Sequence, residues 1–379
     1  MSAAVLRGVV DLWVDFGGGR RLCAVSSSVA VRSVARTFVR FAEAGSTSAL
    51  QARMAVALAG SGQAQRVLET VPARHRRPAL ILAVLHDLAL AGCCPPLTVA
   101  LAAGDFDAIA DAAVEAVVVQ ADWVVATARR SLRTVDAGSC PVLYPAVAEA
   151  AHRVDAAAVA LIDVGCAAGI NLQVDRVGIT YSTGQFLGDP TSPVQLTAAL
   201  RGHRPAVPMR AMPPVAARIG IDPDPIEVTD PDEARWLRAC TPPDRTKQVA
   251  ELNATLTLLT SAPARLLTGD PIEVLPAAIA DVPAEAVPVV TTTWALARHS
   301  RDDRVRFLQQ LDRASTHRPV AWVSVEGVGV APAMPTFGDR HASGHSIIGV
   351  TVFEHGRLYA EAVGRCWSRG RLMSWLADP

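Results

Sequence analysis

One stretch constrains the fold more than any other, an apolar hexapeptide followed by a turn of small residues. Residues 159–164 read Val-Ala-Leu-Ile-Asp-Val, which is typical of a strand buried on both faces of a parallel sheet. Gly165, Ala167 and Gly169 follow, and such small residues let the backbone turn sharply and approach a ligand before a helix begins. The pattern predicts the strand, loop and helix of an α/β protein, with a binding site at the loop.

The chain around this stretch divides into a helical part and an alternating part. In residues 1–150 apolar side chains recur at helical spacing, and the longest candidate helix covers residues 107–132, with Asp105 or Asp107 as its cap. In residues 151–379 candidate strands alternate with helices, which predicts a mostly parallel sheet with helices on both faces. The candidate strands are residues 159–164, 217–222, 264–269, 287–293 and 320–326.

Two further segments complete this α/β prediction. Residues 347–353 and 358–363 flank a short polar turn, a pattern that predicts an antiparallel hairpin at the C-terminal end of the sheet. Residues 175–216 are rich in Pro, Gly and Thr. We expect an insertion there, after the first strand, that builds part of a substrate pocket.

The charge balance and the scattered cysteines exclude several classes of function. The chain has 36 basic and 36 acidic residues and a net charge of +0, which favours a small-molecule substrate over nucleic acid. The N-terminus has no secretory layout, and the best membrane candidate, residues 88–104, contains two prolines. We therefore expect a soluble, cytoplasmic protein that does not bind membranes. Seven cysteines without a CxxC pair predict neither a disulfide framework nor a metal site.

The strand and turn at residues 159–171 resemble the first strand, loop and helix of the Rossmann-like S-adenosylmethionine-dependent methyltransferases. Five strands followed by a terminal hairpin is also the order of elements in that fold. The resemblance implies that S-adenosylmethionine is the cofactor and that Gly165, Ala167 and Gly169 lie against its amino-acid end.

Three acidic residues follow candidate strands and would contact the same cofactor. The resemblance implies that Asp163 receives the ammonium group and that Asp270 lies near the adenine ring. Asp222 ends the second strand, where Rossmann folds commonly place an acid on the ribose hydroxyls. For each of the three, capping of a helix or a turn is the alternative explanation.

Short motifs across residues 34–379 resemble an actinobacterial domain-of-unknown-function family, the 2332 family, whose core is methyltransferase-like. Three polar segments depart from the family's pattern, namely residues 136–139, 291–296 and 367–375. The resemblance and these departures together imply a pocket that is kept but repurposed, within specialised (natural product) metabolism. The motifs that carry the resemblance are Arg77-Pro78 with His86-Asp87-Leu88, residues 165–171, Gly188 with Ser192-Pro193-Val194, residues 220–222, residues 228–232 with Ala234-Arg235-Trp236-Leu237, Gly269-Asp270 with Leu275-Pro276, and residues 322–327.

Three titratable residues are candidates for the catalytic base. Glu326 ends the fifth strand in a buried context, so its carboxyl group needs a partner or has a raised pKa. His299 follows the fourth strand and suits a general base because an ordinary histidine titrates near neutrality, although a solvated loop histidine is the alternative. Asp136 would enter the pocket from the helical part. Candidate substrate-binding residues are Arg133, Thr292 and Trp294, the last with packing as its alternative.

Three functions are compatible with these residues. The first is a small-molecule enzyme that uses S-adenosylmethionine for group transfer. The second is a cofactor-free enzyme in which an amine closes a small ring, such as an aziridine, by expelling an anion such as sulfate. Arginine side chains hold such anions well, and the candidate clamp comprises Arg176, Arg201, His203 and Arg210. The third is a non-catalytic subunit, bound to a small partner protein or to a second copy of the chain.

Overall fold

The computed structural model describes residues 25–202 and 206–377. In this part the chain forms two compact units. The first comprises residues 25–82 and 96–129, and the second comprises residues 83–95, 130–202 and 206–377. The division falls after Arg129, whereas the sequence analysis placed it at residue 150. The helix Cys140–Arg153 accounts for the difference, because its apolar side chains belong to the core of the second unit.

The first unit is helical. Three of its helices begin with side-chain caps, from Ser48, Ser61 and Asp105, and Asp105 accepts hydrogen bonds from the amides of Asp107 and Ala108. The predicted helix over residues 107–132 breaks at Gln120, directly after three consecutive valines, whose β-branched side chains are weak helix formers. The helices are α1 (Val25–Ala42), α2 (Ala49–Gly60), α3 (Gly62–Thr70), α4 (Pro78–Leu90, divided between the units after Leu82), α5 (Pro95–Ala103), α6 (Phe106–Val119) and α7 (Ala121–Thr127).

The second unit is built on one sheet, whose strands in the described residues number 11 and follow the order β3-β2-β4-β11-β10-β9-β8-β7-β1-β5-β6. The strands are β1 (Val159–Val164), β2 (Gly178–Tyr181), β3 (Phe186–Gly188), β4 (Gln195–Leu200), β5 (Val215–Asp222), β6 (Arg265–Thr268), β7 (Val287–Thr293), β8 (Val320–Gly327), β9 (Ser346–Glu354), β10 (Arg357–Trp367) and β11 (Leu372–Trp375). The helices are α8 (Cys140–Arg153), α9 (Pro231–Ala239), α10 (Thr246–Ser261), α11 (Pro271–Ala280) and α12 (Arg301–Ala314).

The predicted α/β fold is confirmed. Strand β1 pairs in parallel with β5 on one side and with β7 on the other, and β6 and β8 extend the parallel sheet at either end. The predicted C-terminal hairpin is β9 with β10, which is antiparallel and pairs with β8 through β9. The sheet is thus mostly parallel, with antiparallel C-terminal strands.

The insertion after β1 is part of the sheet. Its strands β2, β3 and β4 pair with each other, and β4 pairs in parallel with the late strand β11. The sequence analysis expected an insertion here and assigned no strands to it. These strands are only three to six residues long, and the partner of β4 lies far away in the sequence, so local patterns did not reveal them.

The two faces of the sheet have separate apolar cores. Residues Leu161, Val289 and Val323 share one core with side chains of α8 and α10. Their strand neighbours Ile162 and Val290 share the other with α11 and α12. Because side chains alternate along a strand, the parity of a residue in β1, β7 or β8 determines which core it joins.

Two of the motifs that carry the family resemblance meet in the second unit. Asp87 is 1% exposed and accepts a hydrogen bond of 2.9 Å from Arg235 Nε, so a buried carboxylate has its charge paired. His86 is bonded through Nδ1 to the carbonyl oxygen of Ala239. These motif residues hold α9 in place.

No single helix of the described part is both long enough and apolar enough to span a membrane, although the consecutive helices α4 and α5 pass that test as a bent pair.

Candidate site at the carboxyl edge of the sheet

The candidate site lies at the carboxyl ends of β1 and β7. The chain crosses from one side of the sheet to the other at β1, since β5 and β6 lie on one flank and β7 and β8 on the other. Open α/β sheets bind ligands in the crevice at such a topological switch point. Asp163 and Thr291 are register partners on these two central strands, one residue before the end of β1.

Asp163 is buried and bonded to two neutral groups. It is 1% exposed, and its Oδ1 accepts a hydrogen bond of 2.6 Å from the Thr291 hydroxyl. Its Oδ2 accepts a longer bond of 3.2 Å from Asn171 Nδ2. Among the described residues no arginine, lysine or histidine forms an ion pair with it. The carboxylate therefore keeps the capacity to attract a cationic ligand.

Burial, with a smaller contribution from the nearby Asp222, raises the pKa of Asp163 to about 7, although the Thr291 and Asn171 hydrogen bonds oppose the rise. The group accordingly titrates near neutral pH. A carboxyl group with this property at a strand end is a candidate functional residue.

A short hydrogen-bonded chain joins Asp163 to Ser139 through Asn171. The Ser139 hydroxyl donates a 2.6 Å hydrogen bond to Asn171 Oδ1, and Asn171 in turn contacts Asp163. Ser139 ends the 3-10 helix Ala137–Ser139, which the exposed Asp136 caps by accepting a hydrogen bond from the Gly138 amide. Asp136 is thus in the second unit and near the site, but its role as a base stays a prediction.

The small residues after β1 form a tight turn. Gly165, Ala167 and Gly169 have φ angles of 77°, 49° and 80°, a region that glycine adopts readily and alanine rarely. A Cβ on Gly165 would lie 3.0 Å from the Ala295 Cβ, so the turn abuts the segment after β7. Cys166 packs against Gly220, where a Cβ would lie 2.5 Å from its sulfur, and burial raises the pKa of its thiol. It is a packing residue rather than a reactive thiol.

Asp222 and Asp270 both bond to the backbone. Asp222 Oδ2 accepts a hydrogen bond of 3.0 Å from the Ala167 amide, and its Oδ1 accepts one from Asp224. The acid at the end of β5 thereby closes the glycine turn, while its half-exposed carboxylate keeps lone pairs for further donors. Asp270 is exposed and caps α11, which is the alternative that the sequence analysis gave.

Glu326 and Thr292 lie on the other face of the sheet from Asp163. Glu326 is 1% exposed, and its Oε1 accepts hydrogen bonds of 3.0 and 3.1 Å from the amides of Ala295 and Leu296. Burial raises its pKa to about 7, although these amides, the nearby Thr292 hydroxyl and Arg304 oppose the rise. The Thr292 hydroxyl is fully buried and accepts a bond from Trp322 Nε1. The structure therefore does not bring Glu326 and Asp163 together on one face.

Trp294 begins the segment after β7 in a strained conformation. Its φ is 54°, which is uncommon for a bulky residue. The indole is half-buried, packs against the core on the Asp163 face and donates a 2.8 Å hydrogen bond to the Ser346 hydroxyl. His299 is also half-buried, five residues later, and its carbonyl oxygen accepts from Arg304.

The structure does not gather the predicted anion clamp. Arg210 is bound to Glu149 on α8, with 2.6 Å between Nε and Oε2, and Arg201 is exposed. The Thr191 hydrogen bonds lower the pKa of Asp189, and Arg176 lies close enough to add to that effect. His203 lies outside the described residues. Arg133, a predicted substrate contact, forms an ion pair with Asp224.

The sequence analysis did not include Thr291, Ser139 or Asn171 among the candidate site residues. Thr291 could have been found, because the carboxyl ends of parallel strands meet at one edge and its strand was predicted correctly. Ser139 could not, since its contact with Asn171 joins segments 32 residues apart with no shared pattern.

Fold and site together define an α/β protein of the doubly wound class, with a buried acid and a strained turn at the switch point. The chain belongs to the family described as uncharacterized proteins conserved in bacteria (DUF2332), whose model matches residues 35–375. This membership confirms the family resemblance seen in the sequence. A search of curated proteins found no match.

Proposed function

We propose that the chain is a small-molecule enzyme that binds S-adenosylmethionine at the carboxyl edge of β1 and uses it for group transfer. The observation that carries the proposal is Asp163, a buried carboxyl group at the switch point without a cationic partner among the described side chains. A ligand with an ammonium group and a sulfonium centre supplies the missing positive charge.

The residues around Asp163 fit the rest of that cofactor. The half-exposed Asp222 would accept hydrogen bonds from the ribose hydroxyls while it still holds the Ala167 amide. The exposed Gly165 leaves the backbone accessible at the turn. When bound, the cofactor supplies an electrophilic methyl group, and the protein has to align an acceptor and accept its proton. Asp136 and His299 are the proposed bases.

Titration calorimetry with S-adenosylmethionine tests the proposal. We expect binding by the wild-type protein and at least tenfold weaker binding by Asp163→Asn, because the amide removes the negative charge and keeps the shape. Asp222→Ala should also weaken binding. Asp281→Asn is the matched control, since this exposed acid pairs with Arg265 and caps the far end of α11; it should bind as the wild type does.

Absence of binding by a folded wild-type protein would refute the cofactor and leave the cofactor-free ring closure as the next proposal. That reaction needs an amine substrate, which Asp163 would also attract, and an anion site. Because Arg210 is engaged by Glu149, the anion site of such an enzyme would have to use Arg176 or other basic residues.

A further inference from the structure

Three side chains, those of Glu326, Arg304 and Ser346, hold the segment after β7, residues 294–299, in place. We name it the Trp294 turn. The amides of Ala295 and Leu296 both donate to Glu326 Oε1. Arg304 Nε donates to the carbonyl oxygens of Leu296 and His299 at 2.9 and 3.1 Å. The indole of Trp294 is fixed by Ser346.

The hydrogen bonds of the Trp294 turn compensate the backbone strain at Trp294. Trp294 has a φ of 54°, and a non-glycine residue keeps such a conformation only where its surroundings impose it. Strained residues of this kind cluster at ligand sites. The Trp294 turn also abuts the glycine turn, since a Cβ on Gly165 would lie 3.0 Å from the Ala295 Cβ. The conformation of the Trp294 turn therefore limits the space beside Gly165.

The hydrogen bonds of the Glu326 carboxyl group argue against a role as the catalytic base. Its Oε1 is occupied by two backbone amides. Its Oε2 is buried and has no hydrogen-bond partner among the described residues. The side chain is on the sheet face opposite Asp163, beside Thr292 and Trp322. A base must reach the substrate's proton, and this geometry directs the carboxyl group to the backbone of the turn instead.

We propose that Glu326 is a positioning residue, which holds the Trp294 turn against the glycine turn and thereby places the Trp294 indole as one wall of the ligand site. It acts through the peptide groups of Ala295 and Leu296 and not by transferring a proton. The part of the inference that concerns ligand binding rests on the proposed function; the part that concerns the turn does not.

Amide hydrogen exchange and Trp294 fluorescence test the turn directly. Glu326→Gln keeps a carbonyl oxygen that accepts the hydrogen bonds of both amides. The amide exchange rates of Ala295 and Leu296 should therefore stay within threefold of the wild type. Glu326→Leu removes the acceptor, and both amides should exchange at least tenfold faster. The Trp294 emission, assigned by difference with Trp294→Phe, should shift only in Glu326→Leu.

Ser300→Ala is the matched control. Ser300 caps α12 next to the turn by accepting from the Asp303 amide, so its loss weakens the neighbouring helix without removing an acceptor from the turn. It should alter neither the two exchange rates nor the emission. If Glu326→Leu does not fold, Glu326→Asp replaces it, because the shorter side chain cannot reach both amides. Unchanged exchange in whichever variant folds would overturn the proposal.

The affinity for S-adenosylmethionine shows whether Glu326 acts by positioning the turn or through its own charge. Glu326→Gln should bind within threefold of the wild type, and Glu326→Leu at least tenfold more weakly. If the wild type binds and Glu326→Gln does not, although its turn stays protected, Glu326 acts through its charge and the proposal is wrong. If the wild type does not bind at all, the proposed function fails, and the exchange rates alone decide the role of Glu326.

Discussion

At the scale of single residues, the sheet contains two buried acids whose protons are held unusually tightly. Asp163 and Glu326 have ordinary pKa values of 3.8 and 4.5, and burial raises both to about 7. Each is 1% exposed, so water does not screen the effect. Asp163 lies near the carboxyl end of β1 and Glu326 near that of β8.

The raised pKa values predict how stability depends on pH. Between about pH 4 and pH 7 the folded protein keeps these two protons while the unfolded chain releases them, so the folded state binds more protons and the free energy of unfolding falls as pH rises. One pKa unit corresponds to about 1.4 kcal/mol, so the two groups together contribute a decrease of several kcal/mol.

Urea unfolding at pH 5.0, 6.0 and 7.5, followed by circular dichroism, would show this decrease. The double variant Asp163→Asn/Glu326→Gln should have a flatter dependence, whatever its stability at any single pH. A double variant as steep as the wild type would show that other groups cause the dependence.

At the scale of elements, side chains alternate along β7, so the consecutive residues Thr291 and Thr292 lie on opposite faces of the sheet. Thr291 donates to Asp163, whereas Thr292 accepts from Trp322 on the opposite face. Thr291→Val removes a hydrogen bond that lowers the pKa of Asp163, so that pKa should rise further. Thr292→Val changes the same chemical group one residue away and should leave it unchanged. Carboxyl-selective NMR titration of the labelled protein measures both, and equal shifts would contradict the assignment of faces.

The strands around this site were largely predictable, for a physical reason. Strands β1, β7 and β8 are buried in the sheet and read as largely apolar runs, so residues 287–293 were predicted with the bounds that the structure shows. The roles of Asp222 and Glu326 were less predictable. Their partners are the backbone amides of Ala167, Ala295 and Leu296. Since every residue except proline has a backbone amide, the residue types in the sequence do not indicate such a contact.

At the scale of the whole molecule, the second unit joins segments that are remote in the chain. Ala199 of β4 is the register partner of Leu372 in β11, and the amide of Ala199 donates to the carbonyl oxygen of Arg371. Helix α8 and strands β4 and β11 contribute to the same core. The insertion therefore depends on the last strand for its place in the sheet.

Truncation tests this dependence. Removal of residues 371–379 should expose the edge of β4 and make the insertion sensitive to limited proteolysis near Gly184, in the turn between β2 and β3. The parallel strands β5, β1, β7 and β8 should remain protected. Removal of residues 378–379 alone is the control and should leave the insertion resistant. Equal resistance of both truncated proteins would show that β4 needs no partner.

The pairing of β4 with β11 also means that β4 is synthesised long before its partner strand. Strand β1 lies directly before the insertion in the chain, yet β4 meets its partner only after about 170 further residues have been translated. Until then the ribosome-bound chain carries β4 with one edge open, a state prone to association with other chains. Synthesis rate, and any chaperone that shields this edge, should therefore control how much of the newly made protein reaches its folded form.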